Sequence, residues 1–183
     1  MISRILLLAL LLLLLGGCSL PRIIVLNDPL DARGHNDLGV AYQQRGDFDL
    51  AIRAYERSAK LEKGWALPLV NLGNVHGLQQ DWSSAQKSYR RALRRDPADF
   101  DAMNNLGWAL LQAGKPDQAL KWARTAVEQQ PQNPAFLDTL AEIHLARGEP
   151  AAALPLIRSA LELDPPEALR LALEEKLTVI GGR

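Results

Sequence analysis

The stretch VNLGNVHGLQQDWSSAQKSYRRALRRDP at residues 70–97 decides the fold, because its pattern returns at residues 104–131 as NNLGWALLQAGKPDQALKWARTAVEQQP. The two stretches place Leu-Gly, small residues and Pro at the same offsets, 34 residues apart. The same columns extend to both sides as Leu38-Gly39, Ala51, Ser58, Lys63, Leu140-Ala141, Ala153, Ala160 and Pro165. Four gapless repeats follow: 32–65, 66–99, 100–133 and 134–167. A period of this length predicts a solenoid of helix-turn-helix units and an all-α fold.

Each repeat is predicted to supply two helices separated by a short turn. Gly just past a helix end and Pro at the start of the next helix are the expected stop and start signals. The second repeat has Gln80 where the others have Gly, so it lacks this stop signal. The predicted spans are 32–45, 49–62, 66–79, 83–95, 100–113, 117–129, 134–147 and 151–163.

The spacing of Leu-Gly, aromatic, Ala and Pro resembles the tetratricopeptide repeat family. The residues that carry the resemblance are Leu38-Gly39, Tyr42, Gly46, Ala51, Tyr55, Leu72-Gly73, Ala85, Tyr89, Ala92 and Pro97. The resemblance implies a right-handed α-solenoid whose first helices line a concave, partner-binding groove. The last repeat of a solenoid exposes an apolar face, so we expect residues 168–183 to supply a capping helix and a tail.

The amino terminus has the pattern of a secretory signal peptide over residues 1–17. Arg4 precedes an apolar run of 11 residues at 5–15, and small residues follow. A membrane-spanning helix needs about 20 apolar residues, so a cleaved signal is the better interpretation.

Cys18 is the only cysteine, so it cannot form an internal disulfide. Leu15-Gly16-Gly17-Cys18 resembles the lipobox of bacterial lipoproteins, which implies cleavage before Cys18 and its lipidation. The alternative is a lone cysteine in an ordinary signal. The residue after Cys18 is Ser19 and not Asp. By analogy with bacterial lipoproteins, this favours the outer membrane of a Gram-negative cell envelope, with the protein facing the periplasm.

Residues 18–31 are predicted to be the lipidated cysteine and a tether. The tether contains the apolar run Ile23-Ile24-Val25-Leu26. This run could pack over the end of the first repeat, pair as a strand with a partner, or fill the concave face.

The composition gives little support for an enzyme. His35, His76 and His144 are not at metal-ligand spacing, and no phosphate-binding loop or nucleophile elbow occurs. No catalytic residue, metal or cofactor is expected. Lys plus Arg equals Asp plus Glu at 21 each, and without a basic stripe there is no electrostatic case for nucleic acid.

The candidate partner-binding residues lie on the first helix of each repeat, at offsets that share one helix face. They are Asn36, Asn71, Asn74, Asn104, Asn105, Trp108, Asp138 and Glu142. An Asn amide can pair with any peptide backbone, and this face resembles the asparagine ladder with which some tetratricopeptide proteins hold extended peptides. Alternatively, the amides only solubilise the face or bind their own helix, and Trp108 packs against the next repeat.

The expected function is that of a membrane-anchored scaffold that binds a protein or an extended peptide segment of an envelope complex. Pilus or secretion-system assembly lipoproteins are similar in architecture. The alternative is a regulatory adaptor for cell-wall hydrolases or polysaccharide export. Arg33 is the only cation that the first helices bring near the groove, so a clamp for a C-terminal carboxylate is not expected.

Overall fold

The computed structural model describes residues 28–181, and within this range the chain forms nine α-helices and no strand. The predicted signal peptide, Cys18 and the apolar run at 23–26 lie outside the described residues. The helices are α1 (Ala32–Gln44), α2 (Phe48–Leu61), α3 (Leu67–Leu78), α4 (Trp82–Arg95), α5 (Phe100–Gln112), α6 (Pro116–Gln129), α7 (Pro134–Ala146), α8 (Pro150–Glu162) and α9 (Glu167–Gly181). Their ends lie within about two residues of the predicted spans, and the all-α solenoid with a C-terminal capping helix is confirmed.

The helices stack as four antiparallel pairs. Each pair packs against the next, and successive first helices (α1, α3, α5, α7) also contact one another directly. The first helices therefore line the inner face of the solenoid, and the second helices (α2, α4, α6, α8) form its outer face.

The turn inside each repeat reverses the chain through one residue with positive φ. Gly46, Gly114 and Gly148 have φ of 80°, 71° and 74°. Gln80 adopts the same left-handed conformation with φ of 59°, and the Asp81 amide donates to the His76 carbonyl at 2.9 Å. The second repeat therefore makes the same turn without glycine, at the steric cost that a Cβ carries in this conformation.

The small columns lie where the two helices of a repeat cross. Ala51, Ala85, Ala119 and Ala153 are all 0% exposed. In the first two repeats the rings of Tyr55 and Tyr89 lie directly on Gly39 and Gly73, where a Cβ would have no room. The predicted core role of these columns follows from this close packing.

The capping helix α9 closes the apolar end of the fourth repeat. Leu173 is completely buried with Ala153, Ile157 and Ala160. Every member of the two buried clusters found within residues 28–181 lies between Ala51 and Leu173, so a fragment of residues 28–183 retains both clusters and is expected to fold by itself. No helix in the described part of the chain is long and apolar enough to cross a bilayer.

Candidate functional site

The inner face presents one accessible stripe along each central first helix. On α3 the stripe consists of Leu67, Asn71, Asn74 and Leu78, and on α5 of Asp101, Asn105, Trp108 and Gln112. These positions are three and four residues apart, so each set lies on one side of its helix. All eight side chains are exposed or half-buried.

A depression of about 330 Å³ lies between these two stripes. Its lining combines two exposed apolar side chains, Leu78 at 58% and Trp108 at 37% exposure, with polar groups. The lining residues are Gln43, Asn74, Gly77, Leu78, Trp82, Tyr89, Asn105, Trp108 and Ala109. The structure therefore brings three of the predicted groove residues, Asn74, Asn105 and Trp108, to one pocket.

Hydrogen bonds fix the two amides at this depression. The Tyr89 hydroxyl donates to Asn74 Oδ1 at 2.8 Å, and Asn105 Nδ2 donates to the same oxygen at 3.3 Å. Burial raises the pKa of Tyr89, so its hydroxyl remains a donor at neutral pH. Among the described residues, Asn74 Nδ2 and Asn105 Oδ1 have no hydrogen-bond partner. The pocket thus offers the amide NH2 group of Asn74 as a donor and the amide oxygen of Asn105 as an acceptor to a ligand backbone.

The other predicted asparagines are placed differently. Asn71 Nδ2 donates to Asn36 Oδ1 at 3.0 Å, which links the first two repeats. Asn36 and Asn104 are only 5% and 8% exposed, because their column turns toward the neighbouring helix. The prediction that these two residues line the accessible groove needs correction, whereas Asn71 stays on its half-buried edge.

Asp138 and Glu142 lie at the fourth-repeat end, where the capping helix engages them. Lys176 of α9 forms ion pairs with both carboxylates, at 2.7 Å to Glu142 Oε1. Burial lowers the pKa of Lys176, but the hydrogen bonds and charges of the two carboxylates raise it by more, so the net pKa is raised. Burial raises the pKa of Asp138 against the effect of the ammonium. These two groove candidates therefore hold α9 in place, and the lysine that the first helices lack comes from the cap.

Tetratricopeptide repeat models match residues 32–65, 70–134 and 134–159. The chain belongs to the tetratricopeptide repeat family. Members of this family are protein-binding scaffolds, and the accessible pocket lies on the face formed by the first helices of the repeats.

Several known proteins are similar to this tetratricopeptide protein. Photosystem I assembly protein Ycf3 of Prochlorococcus marinus is 31% identical over 46% of this chain and 54% of its own length. MamA from Desulfovibrio magneticus RS-1 shares the fold, with a TM-score of 0.68 at 19% identity over 82% of this chain and 93% of that one. The second repeat domain of human RPAP3, in complex with an HSP70 peptide, has a TM-score of 0.59 at 24% identity over 61% and 93%. The matches span 8% to 54% of the length of the curated relatives.

The sequence patterns did not single out Leu78, Gln43 and Trp82, which also line the pocket of this tetratricopeptide protein. Leu78 could have been found, since it lies four residues after Asn74 on the same helix face. Gln43 and Trp82 come from the end of α1 and the start of α4, and only the packing of neighbouring repeats brings them to the pocket.

Two of the three histidines have side-chain partners. The His35 Nε2 atom lies 2.7 Å from Asp28 Oδ2, and His144 Nδ1 lies 2.7 Å from Glu149 Oε2. Within residues 28–181 no three ligand-type side chains converge as a metal site would require.

Proposed function

We propose that this chain is a membrane-anchored scaffold that holds an extended segment of an envelope protein along its inner face. The observation that carries the proposal is the pocket in which exposed Leu78 and Trp108 are flanked by the fixed amides of Asn74 and Asn105. The bound segment places an apolar side chain between Leu78 and Trp108, and its backbone pairs with the two amides.

Energetics favour the apolar side chain as the anchor. Each amide hydrogen bond contributes a net of about 0.5 to 1.5 kcal/mol, whereas a micromolar complex requires about 8 kcal/mol. Two amides are insufficient, so burial of Leu78 and Trp108 must supply much of the remainder. Aromatic residues in such positions commonly contribute about 2 kcal/mol or more.

The charges of the inner face favour a neutral or basic segment. Asp37 and Asp101 are exposed on the first and third repeats, with only Arg33 as an exposed cation on these helices. An acidic segment would be repelled where it passes Asp37 and Asp101. The RPAP3 domain shows that a tetratricopeptide fold of similar size can hold a peptide.

The membrane anchor is the second part of the proposal. The lipobox-like sequence before Cys18 supports lipidation in the envelope of a Gram-negative bacterium, on the outer membrane with the repeats in the periplasm. An assembly role in a pilus or secretion complex fits an anchored scaffold. Replacement of Cys18 by Ser should abolish lipid labelling and release the protein from the membrane fraction; retention in membranes would refute this anchor.

The groove is tested by crosslinked capture from envelope extract followed by affinity measurement on the captured segment. Trp108→Ala is expected to weaken binding by about 2 kcal/mol, or roughly 30-fold. Leu78→Ala should act in the same direction. Leu61→Ala is the matched control, because Leu61 is 45% exposed but lies on the outer helix α2.

The variants also separate the groove from other surfaces. Loss of binding in the Trp108 and Leu78 variants, with the Leu61 variant unchanged, supports the groove. Equal binding by all three variants would move the partner to another surface and refute the proposed site.

A further inference from the structure

Helix α4 carries an unusual charge pattern. Its sequence, WSSAQKSYRRALRR, contains five cations and no carboxylate. Lys87, Arg90, Arg91 and Arg94 are spaced three, one and three residues apart, so they share one helix face. Arg95 is turned away from them, because its guanidinium donates to the carbonyls of Ala59 at 2.7 Å and Trp65 at 2.8 Å.

The basic face continues onto the neighbouring outer helices at most of the same register positions, except that exposed Glu56 and Glu128 stand in the columns of Arg90 and Arg94. We define the basic belt as Arg53, Arg57, Lys60, Lys87, Arg90, Arg91, Arg94, Lys121 and Arg124. All of these side chains are exposed except Arg90, which is half-buried. Arg53, Lys87 and Lys121 form one column at the 34-residue period.

The belt is largely uncompensated within the protein. Among the described residues, Arg57 is the only member within ion-pair distance of a carboxylate, at 3.5 Å from Asp28. Like charges three and four residues apart destabilise a helix, so α4 keeps a repulsion that no internal contact relieves. An external polyanion would relieve it.

The equal totals of acidic and basic residues do not reveal that charge is distributed unevenly between the inner and outer helices. Within the inner helices, α3 carries no Lys, Arg, Asp or Glu, α5 carries only Asp101, and α7 carries Asp138 and Glu142. The expectation that the chain has no basic stripe is therefore wrong, because the positive charge is concentrated on the outer face.

We propose that the basic belt docks on the anionic phosphates of a lipid bilayer surface. The position of the chain's amino-terminal side favours lipid over other polyanions. Asp28, at the start of the described residues, contacts Arg57 at the edge of the belt. Cys18 is ten residues upstream, and ten extended residues reach at most roughly 33 to 36 Å. An anchor at Cys18 would therefore hold the bilayer within reach of this face.

The belt would add an electrostatic contact to the lipid anchor proposed at Cys18, on which this assignment to lipid rests. It would also orient the solenoid, with the outer face toward the membrane and the inner groove open toward a partner. Each cation near an anionic surface strengthens binding by about five-fold.

The test uses residues 28–183, which contain both buried clusters of the described residues but lack Cys18, so that binding reports the belt alone. Flotation is measured with phosphatidylcholine vesicles that contain about 30% phosphatidylglycerol, and with pure phosphatidylcholine vesicles. Binding is expected only to the anionic vesicles and should fall steeply with added salt. No binding to the anionic vesicles at low salt would overturn the proposal.

Matched triple variants locate the binding surface. Lys87→Gln with Arg91→Gln and Arg94→Gln should weaken vesicle binding on the order of 100-fold. The control, Arg33→Gln with Arg45→Gln and Lys115→Gln, removes the same charge from outside the belt and should retain most of the binding. Equal losses would show that only net charge matters and would overturn the belt.

A 30-base-pair DNA duplex provides the final comparison. If the belt binds the duplex but not the anionic vesicles, the partner is a nucleic acid and the membrane assignment fails. Vesicle binding that the triple belt variant loses, while its circular dichroism and thermal unfolding match those of the parent fragment, supports the assignment.

Discussion

Replacing Gly73 by Ala tests how the helices of a repeat pack. A Cβ built at Gly73 would lie 2.7 Å from Cδ1 and 2.8 Å from Cζ of the Tyr89 ring. Tyr89 is only 5% exposed and is held by its hydrogen bond to Asn74. The ring cannot move aside without disturbing both the core and the pocket on the inner face.

The expected cost is the sum of three effects. Overpacking of a close-packed core costs typically about 1 to 3 kcal/mol, and loss of the bond between Tyr89 and Asn74 costs about 1 kcal/mol more. The better helix propensity of Ala offsets about 1 kcal/mol of this. We therefore expect Gly73→Ala to lower the free energy of unfolding by about 2 kcal/mol.

Gly107 provides a matched control in the third repeat. It occupies the same column, but the nearest atoms to a Cβ there would be the Cβ and the backbone N of Ala123, both at 3.3 Å, so the approach is looser than that of the Tyr89 ring to Gly73. Small shifts can accommodate this contact, so Gly107→Ala should change stability by no more than about 0.5 kcal/mol, since propensity offsets the strain. Both values are measured by urea denaturation of residues 28–183. Equal destabilisation by the two substitutions would refute the steric explanation.

A double substitution sharpens the test. The fourth repeat pairs Ala141 with Ile157 at the corresponding positions, and both are fully buried. Tyr89→Ile should therefore rescue Gly73→Ala, so that the double variant is at least about 1 kcal/mol more stable than the two single effects predict. Strict additivity would show that the ring of Tyr89 is not the obstacle.

Three further predictions concern single interactions. Gln80→Gly should raise the free energy of unfolding by about 1 kcal/mol, because glycine adopts the positive φ of 59° without strain; an unchanged urea midpoint would contradict this. Hydrogen bonds first from Arg147 and then from His144 lower the pKa of Glu149 to about 2. The contribution of Glu149 to the free energy of unfolding is therefore complete above the unfolded pKa of about 4.5 and is lost as pH falls toward 2. The melting temperatures of Glu149→Gln and the parent should converge over this range. A difference between them that persists at low pH would contradict the ion pair. Lys176→Met should lower the free energy of unfolding by about 2 kcal/mol, because it leaves the carboxylate of Asp138 poorly solvated. Amide hydrogen exchange should then increase first in α9. Protection of α9 equal to that in the parent would contradict this prediction.

The helical period predicted much of this structure. The columns of small residues identified the crossings of the helices, and Ala85 and Ala119 are indeed completely buried. The period could not distinguish Asn104 from Asn105, because adjacent residues differ by about 100° around a helix. That rotation buries Asn104 and leaves Asn105 half-exposed at the pocket. Their roles depend on the tilt between neighbouring repeats, which no single-helix pattern encodes.

The amino-acid composition did not predict the basic belt, for a different physical reason. A net charge is a sum over the whole molecule, whereas binding depends on the local potential over one face. Assigning each charge to the inner or outer helix of its repeat would have revealed the cations of α4 from the sequence alone. The 34-residue register already contained this information, since Arg53, Lys87 and Lys121 share a column.

The capping helix lies outside the 34-residue repeat pattern, and the contact of Lys176 there was the hardest to predict from the sequence. Lys176 has no counterpart at the 34-residue period, since α9 follows the last repeat, and its ion pairs with Asp138 and Glu142 depend on how α9 lies across the fourth repeat. Inner-face positions that line the candidate pocket in the second and third repeats therefore stabilise the packing of α9 in the fourth repeat. The cap also shapes this end of the groove, because Lys176 pairs with both carboxylates and all three side chains line a separate cavity of about 750 Å³ between α7 and α9. The pocket at Leu78 and Trp108, and not the acidic end, is where a partner should first be sought.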